Sequence, residues 1–242
     1  MQLITMATPV RKCLAVADHT VHMLGKFPEN LRLGEMSRRL GEGSLTLEIA
    51  EQTLRAAERA AALARIDAHF ANYQSDLCMR RVKKHVEGQD GRRGGRVASL
   101  VSSGSPDFAK LQGKTQVDAM RQFELRLGGV QDIWTGAAAE MAQVTEHRVR
   151  YEAALDAREQ SKRAVAAARV SRNTAKERFV QLYAEIASLV KAEFPRDRHT
   201  QDLFFIDAYP QRGRNGEAGD DIDDGDEGEQ PGSPDADPVA AL

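Results

Sequence analysis

The sequence predicts an all-α protein, an elongated helical bundle built on two long antiparallel Ala-rich helices. Three observations carry this. Residues 44–87 and 137–193 contain no Gly and no Pro, so nothing in them breaks a helix. Both runs are rich in Ala, the strongest helix former and one that buries little surface. Both also show small residues at alternating spacings of three and four, the signature of a helix-helix seam.

Taken in order, Pro9 opens a first helix with Thr8 as its N-cap, running to about Leu24 and stopping at the Gly-Lys-Phe-Pro stretch 25–28. A short helix is expected from Asn30 to Leu40, between Pro28 and Gly41. Ser44 starts the first long helix, with Glu48 near the reciprocal capping position. Its seam reads Ala50, Leu54, Ala57, Ala61, Ala64, Ala68, Ala71, Ser75, Cys78 and Val82. Residues 88–106 read as a linker of Gly, Ser and Arg within a mobile loop spanning 88–110. Helix resumes at Gln112 or Thr115, and Gly128, Gly129 and Gly136 weaken it. The second long helix covers 137–193, about 85 Å at 1.5 Å per residue, and Pro195 ends it. Its seam reads Ala154, Ala157, Ser161, Ala164, Ala168, Ser171 and Ala175. Small residues alone associate weakly. The bulky cluster Phe179, Leu182, Tyr183, Ile186, Leu189 and Val190, with Leu14, Val21 and Leu24 of the first helix, is therefore expected to supply much of the burial.

Charge separates along the chain. Residues 211–242 hold ten acids and two bases, which leaves 32 of the 34 Lys and Arg and 26 of the 36 Asp and Glu in the rest. The sequence thus divides into a basic helical bundle domain, 1–210, and a tail, 211–242, expected to be disordered and acidic. Abundant Ala and Arg suit a high-GC bacterial genome.

Little in the chain points to chemistry. Two isolated cysteines, Cys13 and Cys78, form neither a disulfide framework nor a CxxC site. Gly113-Lys114-Thr115 has the end of a phosphate-binding loop, but position 108 is Phe where the motif needs Gly, and no strand precedes it; Thr115 is expected to cap a helix. His19 and His22 stand one helical turn apart without further ligands. No Glu-x-x-His occurs, which argues against a di-iron carboxylate bundle. The acidic run 220–229 has calcium-loop composition without the register or flanking helices. No nucleophile, base and orienting group can be assembled. The expectation is a non-enzymatic protein with no cofactor and no metal. It is also expected to be cytoplasmic and not membrane-bound, because no secretory leader pattern and no run of about 20 apolar residues is present.

Two sets of residues remain as candidates for binding. Arg158, Lys162, Arg169, Arg172 and Lys176 form a stripe on the second long helix; Arg80, Arg81, Lys83 and Lys84 end the first, and Arg92, Arg93 and Arg96 follow. Cations regularly spaced on a rod suit a phosphate backbone. The second set lies in "DLFFIDAYP", residues 202–210, where Phe204, Phe205 and Tyr209 supply three of the chain's thirteen aromatic residues. These either cap the bundle or dock on a partner. The leading function is a structural or interaction protein, a helical adaptor or a subunit of a larger bacterial assembly. Its partner would be another protein or a second copy, since small-residue seams serve equally between chains. The alternative is a nonspecific nucleic-acid-binding protein whose stripe is modulated by the acidic tail.

Overall fold

The computed structural model describes residues 4–89, 96–102 and 110–206. The tail 211–242, Tyr209, Arg92 and Arg93 lie outside them. Among the described residues every regular element is a helix: α1 (Val10–Leu24), α2 (Leu31–Gly88), α3 (Arg96–Ser102), α4 (Gly113–Gly128), α5 (Ala137–Glu193) and α6 (Arg198–Leu203).

Helices α2 and α5 run antiparallel along their whole length. Arg39 meets Glu185 at 3.0 Å, Arg172 meets Glu51 at 3.9 Å, and His85 meets Glu140 at 2.7 Å. At each step the partner's number falls as the other rises. Every residue of the expected α2 seam is buried or half-buried. On α5 only half the expected seam faces inward. Ala154, Ser161, Ala168 and Ala175 do, whereas Ala157, Ala164 and Ser171 are exposed. Their place is taken by Tyr151, Arg158, Val165, Arg172, Phe179 and Ile186, spaced by sevens and all buried or half-buried. The seam is therefore not made of small residues alone. Small side chains on α2 leave room for two arginine stems, which lie along the interface with the Nε atom of each buried.

Large side chains collect at the two ends of the pair. One cluster joins α1, the start of α2, the end of α5 and the segment after α6, with Leu24, Leu33, Leu40, Tyr183, Ile186 and Phe204 at its centre. The other joins the end of α2 to α3, α4 and the start of α5 through Val82, Val86, Val101, Met120, Phe123 and Val144. Between them α2 buries only Leu54 and Ala68 below a tenth exposure over residues 48–74. Two cores are thus joined by a thin two-helix neck.

Several boundaries differ from expectation for identifiable reasons. Helix α2 does not break at Gly41–Gly43. A Cβ on Gly43 would come within 2.6 Å of a Leu182 methyl, so this glycine admits a leucine from α5 and does not end a helix. Asn30 caps α2, accepting from the amides of Arg32 at 3.0 Å and Leu33 at 3.3 Å. Thr8 does not cap α1: its hydroxyl accepts from the Thr5 amide, and Pro9 holds the N-cap position. Thr115 lies inside the first turn of α4, which Gln112 precedes as N-cap residue. Gly136, read as a helix breaker, stands at the N-cap of α5, where any Cβ would meet the Trp134 indole at 2.7 Å. Part of the expected linker is helical. Arg96–Ser102 forms α3 because Val97, Ala98 and Val101 fall on one face and bury against the second core.

Candidate interaction surface on the neck

The described positions of the basic stripe do not form one exposed line. Lys162 and Arg169 are exposed, and Arg169 lies 3.6 Å from Glu58. Arg158 and Arg172 are half-buried in the α2–α5 seam. Glu51 stands 3.9 Å from Arg172, an ion pair without a hydrogen bond. Lys176 corrects the expectation outright. It is 6% exposed and donates to the carbonyl of Met6 at 2.8 Å. One residue past the seam position Ala175, it points under the N-terminal segment and not into solvent. At the other end Arg80, Lys83 and Lys84 are exposed, as is Arg96 at the start of α3. Arg81 is exposed but donates to Gln143 and to the Cys78 sulfur.

The aromatic pair is also placed. Phe204 and Phe205 are buried in the first core and are not available as a docking hook. Phe204 packs between Phe27 at 5.3 Å and Phe194 at 5.6 Å, and Phe205 meets the edge of Tyr183 at 5.9 Å. The hydroxyl of Thr20 donates to the Phe204 carbonyl at 2.9 Å, and His19 Nε2 lies 3.1 Å from the Leu203 carbonyl. A carbonyl only accepts, so His19 carries a proton on Nε2 there. Neighbouring His22 is exposed, and no cluster of three metal-ligating side chains exists among the described residues. The Gly113 amide donates to Tyr151 Oη at 2.7 Å. The start of α4 is thereby docked on α5, which accounts for Gly113 without a phosphate. No helix among the described residues is long and apolar enough to cross a membrane.

What sequence reading missed lies on the outer side of α2. Leu63, Ile66, Phe70, Tyr73 and Leu77 are 43 to 63% exposed. Their spacings are three, four, three and four, a second heptad on the same helix. They stand about half a turn round the helix from the seam that faces α5. Leu45 and Ile49 extend the line toward the first core, both more than half exposed. The neck thus inverts the usual order, with small residues inside and large apolar residues outside. Single exposed apolar residues are ordinary, but a contiguous line of them on a thin rod marks an interaction surface. The signal was present in the sequence at the same spacing that revealed the inner seam. The inner seam drew attention because Ala is so frequent there.

On the α5 side of this line an open groove of about 610 Å³ lies between the helices, lined by Gly43, Thr46, Ala50, Thr53, Ser171 and Thr174 among others. It holds no cluster of acids, bases or nucleophiles. No family model, curated protein or solved structure matches this chain.

Proposed function

We propose that this protein is a non-enzymatic interaction protein, a rigid helical rod that serves as an adaptor or a subunit of a larger assembly. One observation carries the reading: five large apolar side chains of α2 point into solvent at coiled-coil spacing. Burying such a line against another helix would remove apolar surface from water along a surface already held straight by α5. The two cores at the ends fix the rod, and the neck presents the line.

Support for polyanion binding is thinner. Lys176 is buried, Arg158 and Arg172 sit in the seam, and Arg169 faces Glu58. Exposed cations remain at Arg80, Lys83, Lys84, Arg96 and Lys162, on three helices and not on one track along a phosphate backbone.

The test is site-specific photocrosslinking in cells that express the full chain. A photoreactive phenylalanine analogue replaces Phe70 in one strain and exposed Val170 of α5 in another. Protein adducts from position 70 and none from position 170 are expected. Adducts from neither position, together with tight salt-dependent binding of the purified chain to a labelled DNA duplex, would replace this reading with the nucleic-acid one.

A further inference from the structure

The outer line of α2 has a chemistry that selects its own partner. Its large side chains are interrupted by Gln52, Ala56 and Arg59, all exposed. A second α2 laid antiparallel, with the two-fold axis between Leu63 and Ile66, sets the outer large side chains against small or polar ones and brings Leu63 and Ile66 together at the axis. Leu63 meets Ile66 of the second copy. Tyr73 meets Ala56, and Leu77 meets Gln52. Phe70 meets Arg59, whose planar head can stack on the ring.

Charges beside the line agree with this register. Antiparallel coiled coils bring flanking positions of the same kind together. Here they bring Glu48 opposite Lys83, and Arg55 opposite Asp76, each twice because the pair is symmetric. Glu48 and Lys83 are both exposed, and the Glu48 carboxylate is engaged only locally, accepting from Gln52 at 3.2 Å. Arg55 already meets Glu51 at 3.2 Å and Asp76 accepts from Gln116 at 2.8 Å, so this second pairing would add to existing bonds. Neighbouring registers are worse. A shift of one heptad one way sets Arg55 against Lys83, and Asp67 against itself. A shift the other way sets Glu48 against Asp76. A parallel pair would lay Arg59 on Arg59 and Arg80 on Arg80. Like charges so placed disfavour a pairing.

The area is sufficient. Five side chains of this size, roughly half exposed, present on the order of 500 Å² per copy; with their flanks, two copies remove more than about 1,000 Å² from solvent, the range of a specific interface. We propose that two copies of this chain pair antiparallel through the outer faces of their α2 helices, with Phe70 stacked on Arg59 and Glu48 paired with Lys83 of the second copy. This rests on the interaction-protein reading and names its first partner.

Sedimentation equilibrium of the full chain over a dilution series tests it. The wild type is expected to be a dimer that dissociates on dilution. Phe70→Glu is expected to be monomeric with unchanged helicity, because the ring is exposed in the single chain. Val170→Glu on α5 should leave the dimer intact. Glu48→Lys and Lys83→Glu should each weaken pairing about tenfold, and the double swap should restore it. A monomeric wild type at the highest concentration overturns the proposal, as does a dimer that Phe70→Glu leaves intact. Failure of the double swap to restore pairing overturns the antiparallel register. A monomeric wild type whose position 70 still crosslinks to a different protein defeats self-pairing alone and leaves the interaction reading standing.

Discussion

The hydroxyl of Thr20 donates to the carbonyl of Phe204 across 2.9 Å, although 184 residues of chain separate them. Thr20 is fully buried, and its oxygen also lies 3.0 Å from the Val16 carbonyl and 3.5 Å from Tyr183 Oη. One proton cannot serve two carbonyls, so Tyr183 is placed to donate to Thr20 while Thr20 donates onward. This short relay fastens the segment after α6 to α1 and explains why Phe204 is a plug in the core. Replacing Thr20 with Val keeps the shape and removes the relay. It should cost about 1–3 kcal/mol, because a buried carbonyl and a buried phenol lose their partner. Thr20→Ser should cost less. Urea denaturation decides; a Val variant as stable as the wild type would show that the relay contributes nothing.

Much of the fold was legible because the determinants are local. The bounds 137–193 follow from an uninterrupted run between Gly136 and Pro195, and no tertiary contact is needed to see it. The α2 seam was legible because Leu54, Ser75, Cys78 and Val82 share one spacing with the alanines. The α5 seam was half misread because arginine is not expected at an interface; Arg158 and Arg172 enter it only since the opposite residues are small. The fusion across Gly41–Gly43 depends on Leu182, 139 residues away, which no local pattern contains. Of the candidate site, the cations expected on the two long helices lie on α2 and α5, while Arg96, expected in the linker, begins α3. The burial of Lys176 depends on where residues 4–8 fold back, and spacing does not encode that.

The glycines of α2 make a paired prediction. A Cβ on Gly41 would meet nothing within 4 Å, whereas one on Gly43 would meet Leu182 at 2.6 Å. Gly41→Ala should therefore stabilise by about 0.5–1 kcal/mol through helix propensity alone. Gly43→Ala should gain less or lose, since Leu182 must move from its seat against the first core. Thermal melts of both variants check the order. Equal stabilisation would mean that α5 does not approach α2 closely at this point.

Stability should respond to pH through His147. Burial first, then the nearby charge of Arg150, hold its imidazole below the ordinary value of 6.5, although Glu146 opposes. A lowered folded value means that folding disfavours the protonated ring. The contribution of neutral His147 is thus fully present above the ordinary value and is lost as pH falls from there through the folded one. The wild type should lose stability to acid in this window faster than His147→Gln does. Urea midpoints at neutral and mildly acid pH make the comparison. Identical slopes would show that the ring is as well solvated folded as unfolded.

The two cores should open separately. Cys13 lies in the first and Cys78 in the second, both buried, and burial pushes both thiols above their ordinary range. A thiol-specific reagent reacts with the thiolate, so labelling of either reports local opening. Leu24→Ala removes a fully buried side chain from the first core and Leu127→Ala one from the second, each costing about 2–5 kcal/mol. The neck between them buries few large residues, and interfaces of small side chains transmit little packing energy. Leu24→Ala should therefore speed labelling of Cys13 far more than that of Cys78, and Leu127→Ala the reverse. Peptide mapping after timed labelling separates the two sites. If either substitution accelerates both cysteines equally, the neck couples the ends and the bundle opens as one unit.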